Sequence, residues 1–129
     1  MRTHAVLLLL CLAVLAGGCS AERFSFGVGR DGPKTYRVDK KAEAEFDHAV
    51  ELVTDLKYEE AAVKLGPLMA VFAEAGSPAY AAESGFWLAY CREKLGDPNE
   101  ARTLYDLVAR KYPDTPASRQ AIARLGRMK

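Results

Sequence analysis

Glu45 and His48 stand three residues apart in a stretch of helical periodicity, which would set a carboxylate and an imidazole on one helix face. Di-iron bundles use that spacing twice, with further glutamates, whereas this chain offers it once. Beyond His4, His48 is the sole histidine, so a solvated or half-buried helix histidine is the simpler reading. Cys91 has neither a second cysteine nor a histidine nearby in sequence to activate it, and reads as a small core residue. Trp87 reads either as core or as a platform on which a ligand stacks. No glycine-rich phosphate loop, zinc-ligand spacing or serine–lysine pair occurs. The expectation is a chain that is not an enzyme, with no catalytic residue, no metal and no cofactor.

What must then position a function is a folded surface. With 129 residues, half of them hydrophobic, the chain can build one small domain with a core. A formal net charge of +1 speaks against nucleic acid as a partner, since a nucleic-acid binder carries a marked basic excess. The charges are segregated all the same. Between Glu43 and Glu60 lie seven acids (Glu43, Glu45, Asp47, Glu51, Asp55, Glu59, Glu60) and one Lys57, whereas the stretch from Arg110 to Lys129 has six bases and Asp114 alone. Solvated helix faces account for this, and so does electrostatic docking on a partner.

The first eighteen residues look like an address. Arg2 and His4 precede a twelve-residue apolar run, Ala5 to Ala16, which is too short for the roughly 20 residues that a membrane-spanning helix needs. Leu15-Ala16-Gly17-Gly18-Cys19 then resembles a lipobox, the processing site of bacterial lipoproteins. The resemblance implies cleavage before Cys19 and lipid on its sulfur, so that the chain is held at a membrane it does not cross. An ordinary secretory signal with an incidental cysteine is the alternative. Ser20, where an inner-membrane retention signal has Asp, implies the outer membrane, facing the periplasm. Residues 19–40, with Gly27, Gly29, Gly32 and Pro33 among scattered charges, read as a flexible tether.

From residue 41 to 129 the period is helical. Ala42, Phe46, Ala49, Val50, Val53 and Leu56 form one apolar stripe, and Ala61, Ala62, Leu65, Leu68, Met69 and Phe72 a second. Asp55 is a candidate cap for the second helix, and Gly66-Pro67 predicts a kink or a break within it. Gly76-Ser77-Pro78 and Gly96-Asp97-Pro98 each supply a stop, a cap and a first-turn proline, and Thr115-Pro116 repeats the last two. Asp97 and Glu100 have capping-box spacing. Helices are therefore expected over about Pro78 to Leu95, Pro98 to Tyr112 and Pro116 to Met128. The expected fold is all-α, with five helices.

Tyr58-Glu59-Glu60-Ala61 aligns with Pro98-Asn99-Glu100-Ala101 at an offset of forty, with the turn Ala75 to Tyr80 expected to hold the residues in excess of the shorter tetratricopeptide period. Leu88, Ala89, Gly96, Ala101 and Tyr105, with Lys111-Tyr112-Pro113-Asp114-Thr115-Pro116 closing the unit, resemble a tetratricopeptide repeat. The stretch is similar to envelope proteins of the outer-membrane assembly lipoprotein (BamD-like) and Tol-Pal-associated families. This resemblance implies two helical hairpins and a C-terminal capping helix, on which Ala117, Ala121, Ile122 and Leu125 face inward. It further implies a protein-binding concave face holding Phe46, Val50, Val53, Phe86, Tyr90 and Lys94, some of which must fill the core instead. The function it implies is a lipid-anchored adaptor for envelope or outer-membrane complexes, with other envelope proteins or peptides as partners and a homodimer as one arrangement. A pilotin-like escort of a secretin or pilus subunit is the alternative, as is a noncatalytic accessory of a cell-wall enzyme.

Overall fold

The structure, a computed structural model, describes residues 38–128; the leader, Cys19 and nearly all of the tether lie outside them. Five helices run in order: α1 Lys40–Thr54, α2 Tyr58–Glu74, α3 Pro78–Lys94, α4 Pro98–Lys111 and α5 Pro116–Arg127. Each packs on the next, and α1 also touches α3, as α3 touches α5. Odd-numbered helices thus line one side of the stack and α3 meets all four others. This is an all-α, tetratricopeptide-like helical repeat.

The starts of α2, α3 and α4 fall twenty residues apart (78 − 58 and 98 − 78) because each preceding turn has the same form. After α2, Gly76 N–H donates to Ala73 O and Ser77 N–H to Phe72 O. After α3, Gly96 N–H donates to Glu93 O and Asp97 N–H to Arg92 O. After α1, Leu56 N–H donates to Val53 O and Lys57 N–H to Leu52 O. All three are Schellman turns, which place their central residue in the left-handed region. Gly76 and Gly96 adopt it with φ of 71° and 85°; Leu56 adopts it with φ of 64° despite its Cβ. Each turn is three residues long, so the residues that lengthen the repeat lie in the helices, seventeen each in α2 and α3, and not between Ala75 and Tyr80.

The caps divide. Asp97 accepts from Glu100 N–H at 3.1 Å and Thr115 from Ser118 N–H at 3.2 Å. The side chain of Glu100 does not return to Asp97; it pairs with Arg92 at 3.3 Å. Ser77 makes no side-chain cap bond, and Asp55 is the C-cap of α1, leaving Lys57 before α2. Asp39 caps α1, accepting from Lys41 N–H at 3.0 Å. Gly66-Pro67 does not break α2, which runs on to Glu74. Pro67 sits on the exposed side, as does Val63, whose carbonyl is deprived of its donor and can turn to water.

Alanines set the spacing of the core. Ala49, Ala61, Ala81, Ala82, Ala89, Ala101 and Ala121 are fully buried, which lets the helix axes approach. Aromatic side chains fill what remains. Phe46 meets Phe72 and Tyr80 edge-on, and Phe86 lies against Tyr105. At Gly85 even a methyl group is excess, since a Cβ there would stand 2.7 Å from Val108 Cγ2 and 3.1 Å from Met69 Sδ. Leu52 is buried in α1 where the expected stripe had Leu56, because the helix ends before Leu56 and turns it outward. On α5, Ala117, Ser118 and Ala121 are buried and Leu125 half-buried; Ile122 points to solvent, one residue off the inward face.

Candidate interaction surface

The six residues assigned to a concave face part company. Phe46, Val53 and Phe86 are buried in the core, Val50 is half-buried, and only Tyr90 and Lys94 reach solvent as a pair. Phe46 is enclosed by Phe72 and Tyr80, its ring centroid 5.5 Å from that of Tyr80. Lys94 Nζ lies 5.3 Å from the Tyr90 ring centroid, one helical turn along α3. These two stay together because residues four apart share a helix face.

Tyr90 is the hub of a larger cluster. Trp87 meets it edge-on at 5.8 Å and Tyr58 of α2 at 6.1 Å. The Arg124 guanidinium from α5 lies 4.9 Å from the ring centroid, within cation–π range. Arg124 is fixed at its other edge by Glu93, Nη1 to Oε1 at 3.2 Å, while the Tyr105 hydroxyl donates to Glu93 Oε2 at 2.9 Å. One carboxylate therefore ties α3, α4 and α5 together and holds Arg124 over the aromatic ring. Burial, and then the hydrogen bond to Glu93, raise the Tyr105 phenol above its ordinary range, so it remains a donor.

Between α3 and α5 two small depressions share a floor of Phe86 and a rim of Gln120. One, about 210 Å³, is edged by Arg124 and Arg127; the other, about 180 Å³, by Glu83, Trp87, Pro116 and Ala117. Each has room for about one side chain of a bound segment. Glu83 is partly withdrawn from water, and its carboxyl is raised by that burial. Trp87 is half-buried, with one edge against Phe86. Glu93 and Gln120 were absent from the expected surface, where Trp87 stood only as an alternative stacking platform and Arg124 only as one of the C-terminal run of bases. The signal for Arg124 was available in the run of bases after Arg110, yet only the fold shows which of them crosses to Tyr90.

The groups with potential chemistry do not converge. Glu45 is held by Lys64 at 3.1 Å, and this hydrogen bond lowers its carboxyl pKa; His48 lies on the exposed side, 3.7 Å from Glu51. Cys91 is buried and its thiol is pushed up to about 11 by that burial, leaving it protonated at neutral pH. Among the described residues no group of three or more His, Cys, Asp or Glu is placed to hold a metal ion, and no helix is long and apolar enough to cross a membrane.

Residues 83–115, which span most of α3, all of α4 and the following turn, match the family model for a tetratricopeptide repeat. No curated protein and no solved structure matches the chain. The match supports a tetratricopeptide-repeat protein, and repeats of this kind serve as scaffolds for protein–protein interaction. The matched hairpin supplies Trp87, Tyr90 and Glu93, three members of the surface cluster.

Proposed function

We propose that the chain is a lipid-anchored adaptor of the bacterial envelope, which holds a partner protein on the α3–α5 face. The observation that carries the binding half is the Tyr90 hub. An aromatic ring and an arginine, pre-positioned by Glu93 beside side-chain-sized depressions floored by Phe86, form a rigid anchor point. Arg124 and Arg127 at one edge suit a partner segment that presents an apolar side chain next to a carboxylate. The anchoring half rests on Leu15-Ala16-Gly17-Gly18-Cys19 and the apolar run before it. Two acyl chains or more would hold such a domain stably at a membrane, with the periplasmic side of the outer membrane favoured by Ser20.

The test is cross-linked capture from membranes, with wild type compared against Tyr90→Ala and Arg124→Glu. Tyr90→Ala should weaken capture roughly thirtyfold, equivalent to about 2 kcal/mol, with little loss of helical signal. Barrel-assembly proteins, a secretin or a peptidoglycan enzyme among the captured proteins would each select one envelope pathway. Capture that ignores both substitutions would refute the binding half. Mass spectrometry of mature protein showing an unmodified Cys19 would refute the anchor.

A further inference from the structure

The turn after α1 breaks the rule that the next two obey. At the left-handed position of three equivalent turns, the second and third have glycine, and the first has Leu56. A leucine there strains the backbone, and its side chain is 70% exposed, so neither conformation nor burial favours it. Nearby, Val63 is 73% exposed and Leu95, from the turn after α3, is 44% exposed. With Tyr58, Lys57, Glu59 and Glu60, these residues line one depression of about 480 Å³. It lies at the turn edge of the stack and includes none of the residues of the α3–α5 depressions.

Charge says what covers it. Glu59 and Glu60 stand on the rim, and among the described residues neither forms an ion pair. They end the acidic stretch that begins at Glu43, in which Lys57 is the single base. An anionic lipid surface would be repelled by this rim. A protein segment bearing an apolar side chain between lysines or arginines would match both its floor and its edge.

We propose that the Leu56–Val63–Leu95 depression is a second docking site, for a basic amphipathic segment of a partner protein. It shares no lining residue with the α3–α5 depressions and has the opposite charge preference, with Tyr58, which meets Tyr90, as the link between the two faces. The adaptor then grips two segments at once, an acidic one on the helix face and a basic one at the turn edge.

The test titrates the full chain with a fluorescently labelled helical peptide carrying two leucines one turn apart, flanked by lysines. Control peptides have glutamate for lysine or serine for leucine. The lysine peptide should bind and both controls should bind at least tenfold more weakly. Leu56→Gly should weaken binding about tenfold while the melting temperature holds or rises, since glycine suits the turn; a merely structural Leu56 would not separate the two. Leu95→Ser should weaken binding to a similar degree, and Gln120→Ala, on the rim of the α3–α5 depressions and outside this one, should leave it unchanged. Equal binding of the glutamate peptide, or full affinity in Leu56→Gly, would overturn the proposal. So would sedimentation showing self-association that Leu56→Gly abolishes, because the occupant would then be a second copy of the chain.

Discussion

Gly85→Ala is the sharpest probe of how α3 is seated. Two effects of known sign compete there. Alanine is favoured over glycine inside a helix by about 0.8–1.0 kcal/mol. Against this, the new Cβ would come within 2.7 Å of Val108 Cγ2, well inside the ~3.5–4.0 Å separation at which carbon atoms attract. Met69 Sδ, at 3.1 Å, can swing aside because it ends a flexible chain. Val108 cannot, being fully buried, β-branched and confined at χ1 on a helix. Overpacking of this kind costs about 1–3 kcal/mol, so the net effect should be a loss of about 1 kcal/mol. In a domain of this size that lowers the melting temperature by roughly 4–8 °C, well resolved by far-ultraviolet circular dichroism. A double-mutant cycle assigns the cause: with Val108→Ala present, Gly85→Ala should become neutral or stabilising, giving a coupling of about 1 kcal/mol or more. A single Gly85→Ala variant that melts higher than wild type would refute the close approach of α3 and α4 on which the reasoning stands.

Stability should also fall on the alkaline side. Cys91 and Tyr105 are both raised by burial, Cys91 from about 9 to about 11. Both are neutral in the folded state, so their contribution is complete below about pH 9 and is lost as pH climbs through the raised values. Urea melts from pH 8 to about 11 should show the decline, Cys91→Ala should reduce its first part, and an undiminished slope in that variant would exclude the thiol as its source. The terminal helix gives a further check. Removing α5 after Pro113 should lower the melting temperature by stripping cover from α3 and α4, and Leu125→Ala, at a half-buried site, should cost about 1 kcal/mol. An unchanged melt after truncation would mean that α5 is not a cap.

Where the chain announces helix ends by glycine and proline, the sequence reading and the structure agree closely: Gly76 and Gly96 take the left-handed positions and Pro78, Pro98 and Pro116 begin their helices. The misreadings arise where a residue works against its type. Leu56 reads as part of a stripe because hydrophobic spacing records apolarity and not backbone conformation. Ser77 and Asp55 are good capping residues left unused, because the turn bonds of the backbone had already fixed the path. Ile122 fell on the wrong side of α5 because a stripe four residues wide is ambiguous by one position. The binding surface was less legible than the fold. Tyr90 and Lys94 share a helix and could be paired from spacing alone. The approach of Arg124 and the clamp of Glu93 join residues about thirty positions apart, which no local pattern encodes.

The central place of α3 has a kinetic consequence. Every helix contact is either to the next helix or to the next but one, so each is closed by a short loop of chain. Chains of such low contact order fold quickly, and their ends open without dragging the middle apart. α1 and α5 each have two neighbours, while α3 has four. Amide protons of α3 should therefore exchange with solvent only on global unfolding, and those of the outer helices by local opening at smaller free energy. Tyr90 should thus ride on the slowest-exchanging of the five described helices, and Arg124, its partner in the anchor, on one that opens more often. Fraying of α5 would periodically take Arg124 away from the ring, so the stability of one terminal helix sets the fraction of time for which the anchor point is assembled.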